Sequence, residues 1–565
     1  MVEDIYEPLV RYRDEFKEKF ARIAVETFDW MTEVSAVDIQ ANRKTVSEID
    51  RKTAKKNSLE AWRTFYTFIA VCAWIGGIGS LVYGIYLLTS DGDNISADTV
   101  LKTVIVFTVS LAGIIFFWKK LANLNSMIGI LEAEIKTLTN TAWNQMAPLN
   151  ALFNWDTLTE MVSKCVPRLE FDPYFRADRI SELEYSFGFN SSYNDGKSIL
   201  FAHSGVINGN PFVIAKYRRQ IWGSKTYTGT KVITYTVYVT DSDGKRRRET
   251  RHETLVATVT KPFPDYTDES IVIYGNDAAP KLSFSREPSS HSGKDGFFSN
   301  ISKKMELKKL EKLARNLDDD SDFTMMSNRE FEVLFHAEDR DDEVEFRVLF
   351  TPLAQQQMVN LLNDTEVGYG DDFFFSKRGK LNFVAPVHLQ ECDIDVDPRQ
   401  FVNFSYDRGK DFFIRRSKEF FKSVYFAMAP LLTIPIYQQM RTQNSIHNQE
   451  WWKGVSFWEN ESFANYLGES RFEHRKCITH SILKATDSSH ENGGTVSVTA
   501  YGFRGEDRVD FVPVYGGDGK YHDVAVHWVE YLPVERTSEI EIGVTDKDTA
   551  DAHTRDVRRR IYITN

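Results

Sequence analysis

The sequence predicts an α+β membrane protein: a two-helix transmembrane hairpin with helical cytoplasmic flanks, a mixed α+β cytoplasmic body and a C-terminal β-rich unit. Three observations carry that expectation. Two long apolar runs, nearly free of charge, lie early in the chain; apolar residues on both sides of them recur at helical spacing; and beyond residue 195 the apolar period falls to two.

The first run, Phe65 to Leu88, holds 24 residues without a charge, and about 20 suffice to cross a hydrocarbon core. The second, Val100 to Trp118, holds 19, and its one charge, Lys102, lies near an end where it can snorkel. Residues 65–118 thus read as a hairpin of two spans, 65–88 and 100–118. The first run begins too far into the chain to be a cleaved signal peptide. Lys52, Lys55, Lys56 and Arg63 precede it and Lys119 and Lys120 follow the second run, whereas "TSDGDNISAD" between them has no basic residue. Positive residues favour the cytoplasmic side, so both termini are expected there, in a bacterial inner or plasma membrane. Asn94-Ile95-Ser96 reads as a chance match to a glycosylation acceptor. Gly76, Ser80 and Gly84 recur every four residues and put small side chains on one face, where another helix can approach closely. Neither span has an ionisable residue near its centre, which argues against a conducting pore.

The flanks continue as helices. Residues 1–64 form a cytoplasmic amphipathic segment in which Ile5, Leu9, Tyr12, Phe16, Phe20 and Ile23 follow the 3.6 period. Residues 119–185 form a juxtamembrane stalk that opens with Leu121, Leu124, Ile128, Leu131, Ile135 and Leu138, spaced alternately three and four. Two readings stay open: packing of these helices within one chain, and an oligomerising coiled coil. Asn140, Asn144 and Pro148 weaken and end the pattern, and "WDTLTEMVSKCV" reads as a further short helix.

Residues 195–275 alternate as strands do: Ile233, Tyr235, Val237 and Val239 against Thr234, Thr236, Tyr238 and Thr240. "INGNPF" at Ile207 to Phe212 marks a turn in an antiparallel meander. Residues 276–325, rich in Ser, Gly and Lys around "SREPSSHSGKDGFFSNISKK", read as a linker. An α+β unit, residues 326–437, follows: strand-like "REFEVLFHA" and "DEVEFRVLF", a helix with Ala354, Met358, Leu361 and Leu362 on one face, and a hairpin turning at Arg378-Gly379. "SVYFAMAPLLTIPIY", Ser423 to Tyr437, is broken by Pro430 and Pro435 and reads as buried packing. Residues 442–565 form the C-terminal β-rich unit, and Trp451, Trp452 and Trp458 offer a candidate aromatic interface against the commoner reading as core.

The run "EVLFHAEDRDDEVEFRVLFTPLAQQQMVNLLND" followed by "DDFFFSKRGKLNFVAPV", behind two spans and a β-rich segment, resembles a bacterial family of two-span membrane proteins classed as a domain of unknown function. Phe346, Arg347, Leu349, Thr351 and Pro352 carry the resemblance, which covers Phe65 to about Ile436. It implies a bacterial inner-membrane protein and brings no functional residue with it.

Motifs with chemistry fail one by one. "GSKTYTGTK" lacks the spacing of a phosphate-binding loop, and "HETLV" lacks the second histidine of a helical zinc site. His522 and His527 fall on opposite faces of a strand, and "LDDDSD" and "EDRDDEVE" read as solvated loops. Cys72, Cys165, Cys392 and Cys477 are far apart, with no C-x-x-C pair, and read as free thiols in a reducing compartment. No metal or cofactor is expected. An EF-hand alignment on Gly244 would put Val239 and Thr250 where carboxylates belong, so "DSDGK" is read as the tip of a hairpin. Lys245, Arg246, Arg247, Arg248 and Arg251 are displayed there.

With 565 residues, 42% apolar and 27% charged, the chain is long enough for three or four folded units and is not disordered. Its net charge of -12 argues against a general polyanion binder, so no nucleic acid is expected. A solvated tip is the commoner reading of such a charge run, and the alternative is a contact for an anionic leaflet or an acidic partner. The expected function is that of a membrane-anchored, cytoplasm-facing interaction or scaffold protein. Its partners would be the bilayer, a protein at the membrane, or another copy through the juxtamembrane helices. A membrane-tethered enzyme is the alternative, ahead of a transport or channel component.

Overall fold

The computed structural model describes residues 5–89, 97–240, 244–288, 326, 328–337, 339–392, 394–439, 455–487, 493–544 and 561–563. It is mixed α+β, with two long apolar helices and two antiparallel sheets. The chain forms two compact units: Val25–Asn154 with Pro398–Arg415, and Met1–Ala24 with Trp155–Asp397 and Arg416–Asn565.

The first unit is helical. After the part of α1 (Lys17–Ser35) from Val25 onward, helices α2 (Ile39–Thr89) and α3 (Ala97–Asn150) run for 51 and 54 residues, about 77 and 81 Å at 1.5 Å per residue. Each apolar run is therefore one end of a longer helix, whose remainder is the expected flank. Leu124, Ile128 and Leu131 are buried, with Val46 and Ile49 of α2, so the heptad seam of α3 is used inside the chain. Lys52–Glu134 at 2.7 Å and Lys56–Glu132 at 2.8 Å join α2 to α3 at the surface, where solvent screens them. Contrary to expectation, the helix does not stop at Pro148. α3 runs to Asn150 with Ala142, Met146 and Leu149 buried, because a proline in the last turn removes only one backbone hydrogen bond. At the other end of this unit Phe28, Phe153 and Phe413 meet with ring centroids 5.5 to 6.4 Å apart.

The second unit is built on a seven-stranded antiparallel sheet of order β1-β2-β3-β4-β7-β6-β5. Its strands are β1 (Leu169–Phe171), β2 (Lys197–Ile207), β3 (Asn210–Thr240), β4 (Arg246–Gly275), β5 (Ser283–Arg286), β6 (Phe373–Arg378) and β7 (Leu381–Pro386). One face packs on Phe175, Leu183, Phe187 and Trp458. In the same unit Phe421 stacks on Phe20 at 4.2 Å, and Tyr12 packs against Tyr425 and Phe426 at 5.3 and 4.8 Å. The amphipathic face read from Ile5 to Phe20 is thereby buried. "SVYFAMAPLLTIPIY" is buried too, within the helices Tyr406–Leu432 and Pro435–Gln439.

β3 and β4 are far longer than the five or six residues usual for a strand. They pair in unbroken register from Phe212↔Tyr274 to Thr240↔Arg246, so most of their length is a two-stranded ribbon beyond β2 and β7. A second sheet, β11-β10-β9-β8, contains a like ribbon of β9 (Gly493–Tyr515) and β10 (Tyr521–Val544), flanked by β8 (Ile482–Asp487) and β11 (Ile561–Ile563). The ribbons pack face to face: Ile233, Leu255 and Ala257 bury against Val524 and Val526. The helix Phe457–Leu467 joins the two sheets, giving Trp458 to one core and Phe463 and Ala464 to the other. Its Glu461 is fully buried, accepting from Asn194 at 3.0 Å and from the Ile199 N–H at 3.2 Å and pairing with Lys484 at 2.7 Å. Residues 455–544 thus share a unit with 155–397.

Two expected strands are helices instead. "REFEVLF" and "EVEFRVL" form Arg329–Phe335 and Glu343–Leu349, each started by a side-chain cap: Asn328 accepts from Glu330 and Phe331 N–H, and Asp342 from Glu345 N–H. Phe331 and Phe335 stack at 5.0 Å and Phe346 and Phe350 meet at 4.7 Å, the i,i+4 contacts of a helix. The alternating apolar and charged residues that suggested strands yield to the caps and these ring pairs. Within the expected linker, Ser283–Arg286 is an edge strand on β6, and 289–325 lie outside the described residues.

Candidate interaction surfaces

The apolar ends of α2 and α3 present one surface. None of the most apolar stretch of either helix is buried in the chain; Phe68, Ile75 and Val109 are each about two-thirds exposed. In between, the helices approach closely. A Cβ on Gly76 would lie 3.2 Å from Ser110 Oγ, one on Gly84 3.9 Å from Thr103 Cγ2, and one on Gly113 3.8 Å from Ala73. The Ser80 hydroxyl donates to the Gly77 carbonyl of its own helix at 2.9 Å. The stripe read at 76, 80 and 84 therefore faces the second apolar helix, and Ser110 and Gly113 are its counterpart, which the spacing in one helix alone does not reveal. Gly76→Leu is expected to force the helices apart there at a cost of about 1–3 kcal/mol, read as a lower melting temperature of the detergent-solubilised chain. Aromatic side chains mark both ends: Trp62, Tyr66 and Phe117 cluster at 5.8 to 6.0 Å, and Tyr83 meets Tyr86 at 6.5 Å. From one group to the other is about 26 to 36 Å of helix, bracketing the roughly 30 Å of a bilayer core.

The basic residues lie at the start of β4. Arg246, Arg247, Arg248 and Arg251 stand opposite Thr240, Val239, Tyr238 and Tyr235, and all of them, with Lys245, are exposed. Arg251 Nε lies 3.5 Å from Glu249. Residues 241–243, the rest of the tip, lie outside the described residues, as do Trp451 and Trp452. Trp458 is no interface residue: it is buried between Phe175 and Phe189 at 5.7 and 6.0 Å, because the helix carrying it is wedged between the sheets.

Among the described residues the sheet-bearing unit carries a polar cleft and a smaller, more apolar one. The larger, about 790 Å³, is lined by Phe263 to Tyr266, Glu469, Glu473, Thr479, His480 and Tyr531. Glu469 is its organising group, within reach of Arg218 at 3.4 Å and His480 Nδ1 at 3.2 Å, and it accepts from the Ser481 N–H. Tyr266 donates to Thr479 at 3.1 Å, and burial pushes its phenol up to about 12. The smaller cleft, about 470 Å³, runs along the helix Thr157–Cys165 and reaches Asp172. Burial alone would raise the Asp172 carboxyl. The Arg179 charge, its two 3.0 Å hydrogen bonds and the Ser204 hydroxyl at 2.7 Å outweigh that and hold it below the usual carboxylate range. Among the described residues no three His, Cys, Asp or Glu side chains come together to hold a metal ion. No family model, no curated protein and no solved structure matches this chain.

Proposed function

We propose that this chain is a membrane-anchored interaction protein that presents its sheet-bearing unit to partners at the cytoplasmic face. The unburied apolar sheath of α2 and α3, bounded by aromatic groups a bilayer apart, is the observation that supports the reading. Water would have to solvate that sheath at about 25 cal/mol per Å² of apolar surface, whereas lipid accepts it. The distribution of Lys52, Lys55, Lys56, Arg63, Lys119 and Lys120 against an acidic connection supports cytoplasmic termini in a bacterial inner membrane. A cysteine placed at Ser96 should then react with an impermeant maleimide from outside intact spheroplasts, while one at Thr53 stays unlabelled; the reverse pattern would refute the orientation. Pull-down after mild solubilisation tests the interaction role: a reproducible partner or homo-oligomer supports it, and a solitary monomer in every condition contradicts it.

The basic tip belongs to the same reading as a contact for anionic lipid or an acidic partner. Changing Arg246, Arg247, Arg248 and Arg251 together to glutamine is expected to weaken capture of phosphatidylserine-rich vesicles by the nanodisc-held chain about tenfold or more, at about 1 kcal/mol per basic residue. Equal capture by both forms removes the lipid contact. Among the described residues the Glu469–His480 cleft favours the second reading, a membrane-tethered enzyme. That reading predicts small molecules that raise the melting temperature of the wild type and not of Glu469→Gln.

A further inference from the structure

His388 opens a short helix, His388–Glu391, just beyond β7, and its side chain is only 5% exposed. Its Nδ1 lies 2.5 Å from Asp372 Oδ2, in the loop that leads into β6, and its Nε2 lies 3.0 Å from the Ser423 carbonyl oxygen in the helix Tyr406–Leu432. Asp372 also accepts from the His388 backbone N–H at 3.2 Å, and its carbonyl accepts from the Val387 N–H at 2.7 Å. Tyr369, from the same loop, stacks flat on the imidazole, with centroids 3.8 Å apart and 3° between the planes. Ser423 Oγ donates to the Glu419 carbonyl at 2.9 Å, which leaves it to accept from the Tyr369 hydroxyl at 3.2 Å.

These partners fix the protons on the ring. A backbone carbonyl has no hydrogen to give, so Nε2 must carry one to bond Ser423. An ionised carboxylate is likewise only an acceptor, and a bare Nδ1 lone pair 2.5 Å from it would be repelled. His388 and Asp372 therefore hold a further proton between them. Imidazole is the stronger base of the two, with ordinary values near 6.5 against about 3.9, and a flat stack on the Tyr369 ring suits a cation. The ring takes that proton, and the pair is an imidazolium against a carboxylate, joined by a charge-assisted hydrogen bond.

We propose that His388 is a proton-operated clasp: doubly protonated, it ties the Tyr369–Asp372 loop to the helix Tyr406–Leu432, and it releases the loop when it gives up a proton. A neutral ring has one donor for two acceptors. Whichever nitrogen loses its hydrogen, one contact turns from a hydrogen bond into two facing lone pairs. The closed state is the one that binds the proton, so the clasp is tight at low pH and loosens as the pH rises. The surrounding groups are few. Burial pushes the Tyr369 hydroxyl up to about 12, so it stays protonated across the range tested below. Lys422 Nζ lies 4.8 Å over the Tyr369 ring, and Arg286 pairs with Asp371 beside Asp372. Glu391 and Glu419, on the same two helices, are exposed. Cys392, whose thiol reaches the Tyr369 hydroxyl, is removed in the test.

The test uses the detergent-solubilised full-length chain carrying Cys392→Ser as the parent. Nitrogen NMR of the histidine-labelled parent comes first. At pH 7 the His388 ring signals, identified by their absence from His388→Gln, should be those of a doubly protonated imidazole. Asp372→Asn, whose amide can donate to Nδ1, should convert them to those of the neutral ring with its hydrogen on Nε2. Hydrogen exchange then compares pH 6 with pH 9, corrected for the intrinsic rates. The amides of residues 387 and 388, both held by Asp372, should lose protection in the parent about tenfold or more, the weight of one hydrogen bond to a charged group, while those of β2 keep theirs. His388→Gln has the same donors at every pH and should show no such loss; Asp372→Asn takes its place if that variant does not fold. A neutral His388 ring at pH 7 in the parent, or a loss of protection no larger in the parent than in the variant, would overturn the proposal.

Discussion

Gly229→Val should separate the two long β-ribbons. A Cβ at this position meets the Ala525 carbonyl oxygen and comes within 3.0 Å of Val526 Cα. Both are backbone of a paired strand, so neither can rotate aside as a side chain would. Relief comes only by lifting β10 from β3, and Ile233, Leu255, Ala257, Val524 and Val526 then lose their shared cover. Overpacking costs about 1–3 kcal/mol, and exposing even two of these side chains adds about 1.5–3 kcal/mol for each large one. Hydrogen exchange is the direct readout: amides of 524–526 should lose protection in the variant, while those of β2 keep theirs. Thr228→Val, one residue away on the outer face, is expected to change stability by less than about 0.5 kcal/mol. Equal protection of 524–526 in Gly229→Val and wild type would mean that the ribbons do not pack as described.

The second large effect is a dependence on pH set by Lys377. Its side chain is fully buried, and its ammonium donates to the carbonyls of Ala278, at 3.0 Å, and Gly379. Burial pushes it down to about 7, against a weaker opposing pull from Glu345. Between pH 7 and the usual lysine value near 10.4 the unfolded chain holds this proton and the folded chain does not. Stability therefore rises with pH across that window, and the cost of burying the charge is present in full only below about 7. The gain is on the order of 2–5 kcal/mol. Lys377→Met loses two hydrogen bonds, an offset without pH dependence, so its melting temperature should follow a flatter profile from pH 7 to 10. Parallel profiles for the two proteins would show that Lys377 is not held in the neutral form.

These features were unequally legible from sequence. The apolar runs and their flanks were plain, because a charge-free stretch of span length and an i,i+3,i+4 stripe are local properties: Phe65–Leu88 and the seam from Leu121 to Leu138 fall in helices as read. The β3–β4 hairpin was legible for the same reason, since Thr234 to Thr240 alternate over enough residues to fix a period of two. Arg329–Phe335 and Glu343–Leu349 were misread because, over seven residues, apolar positions i and i+4 also satisfy a strand's even spacing. The deciding signals, Asn328 and Asp342 as caps before acidic first turns, are local too, but the alternation masks them. Trp458 and Glu461 were illegible in kind. A helix wedged between two sheets is buried all round, so its sequence shows neither stripe nor exposed face, and Glu461 finds its partners 262 or more residues away in Asn194 and Ile199. Likewise the cleft at Glu469 draws Tyr266 from β4 and Tyr531 from β10, and no spacing rule connects them.

The central claim is that the exposed apolar ends of α2 and α3 lie in a bilayer, and extraction of native membranes with alkaline carbonate tests it most directly. The full-length chain should remain in the pellet and be released only by detergent, and it should become extractable when Gly77, Ile78, Val106 and Ser110 are all replaced by lysine, at about 2.5–3.5 kcal/mol per central charge. Release of the unaltered chain into the alkaline supernatant would contradict the account.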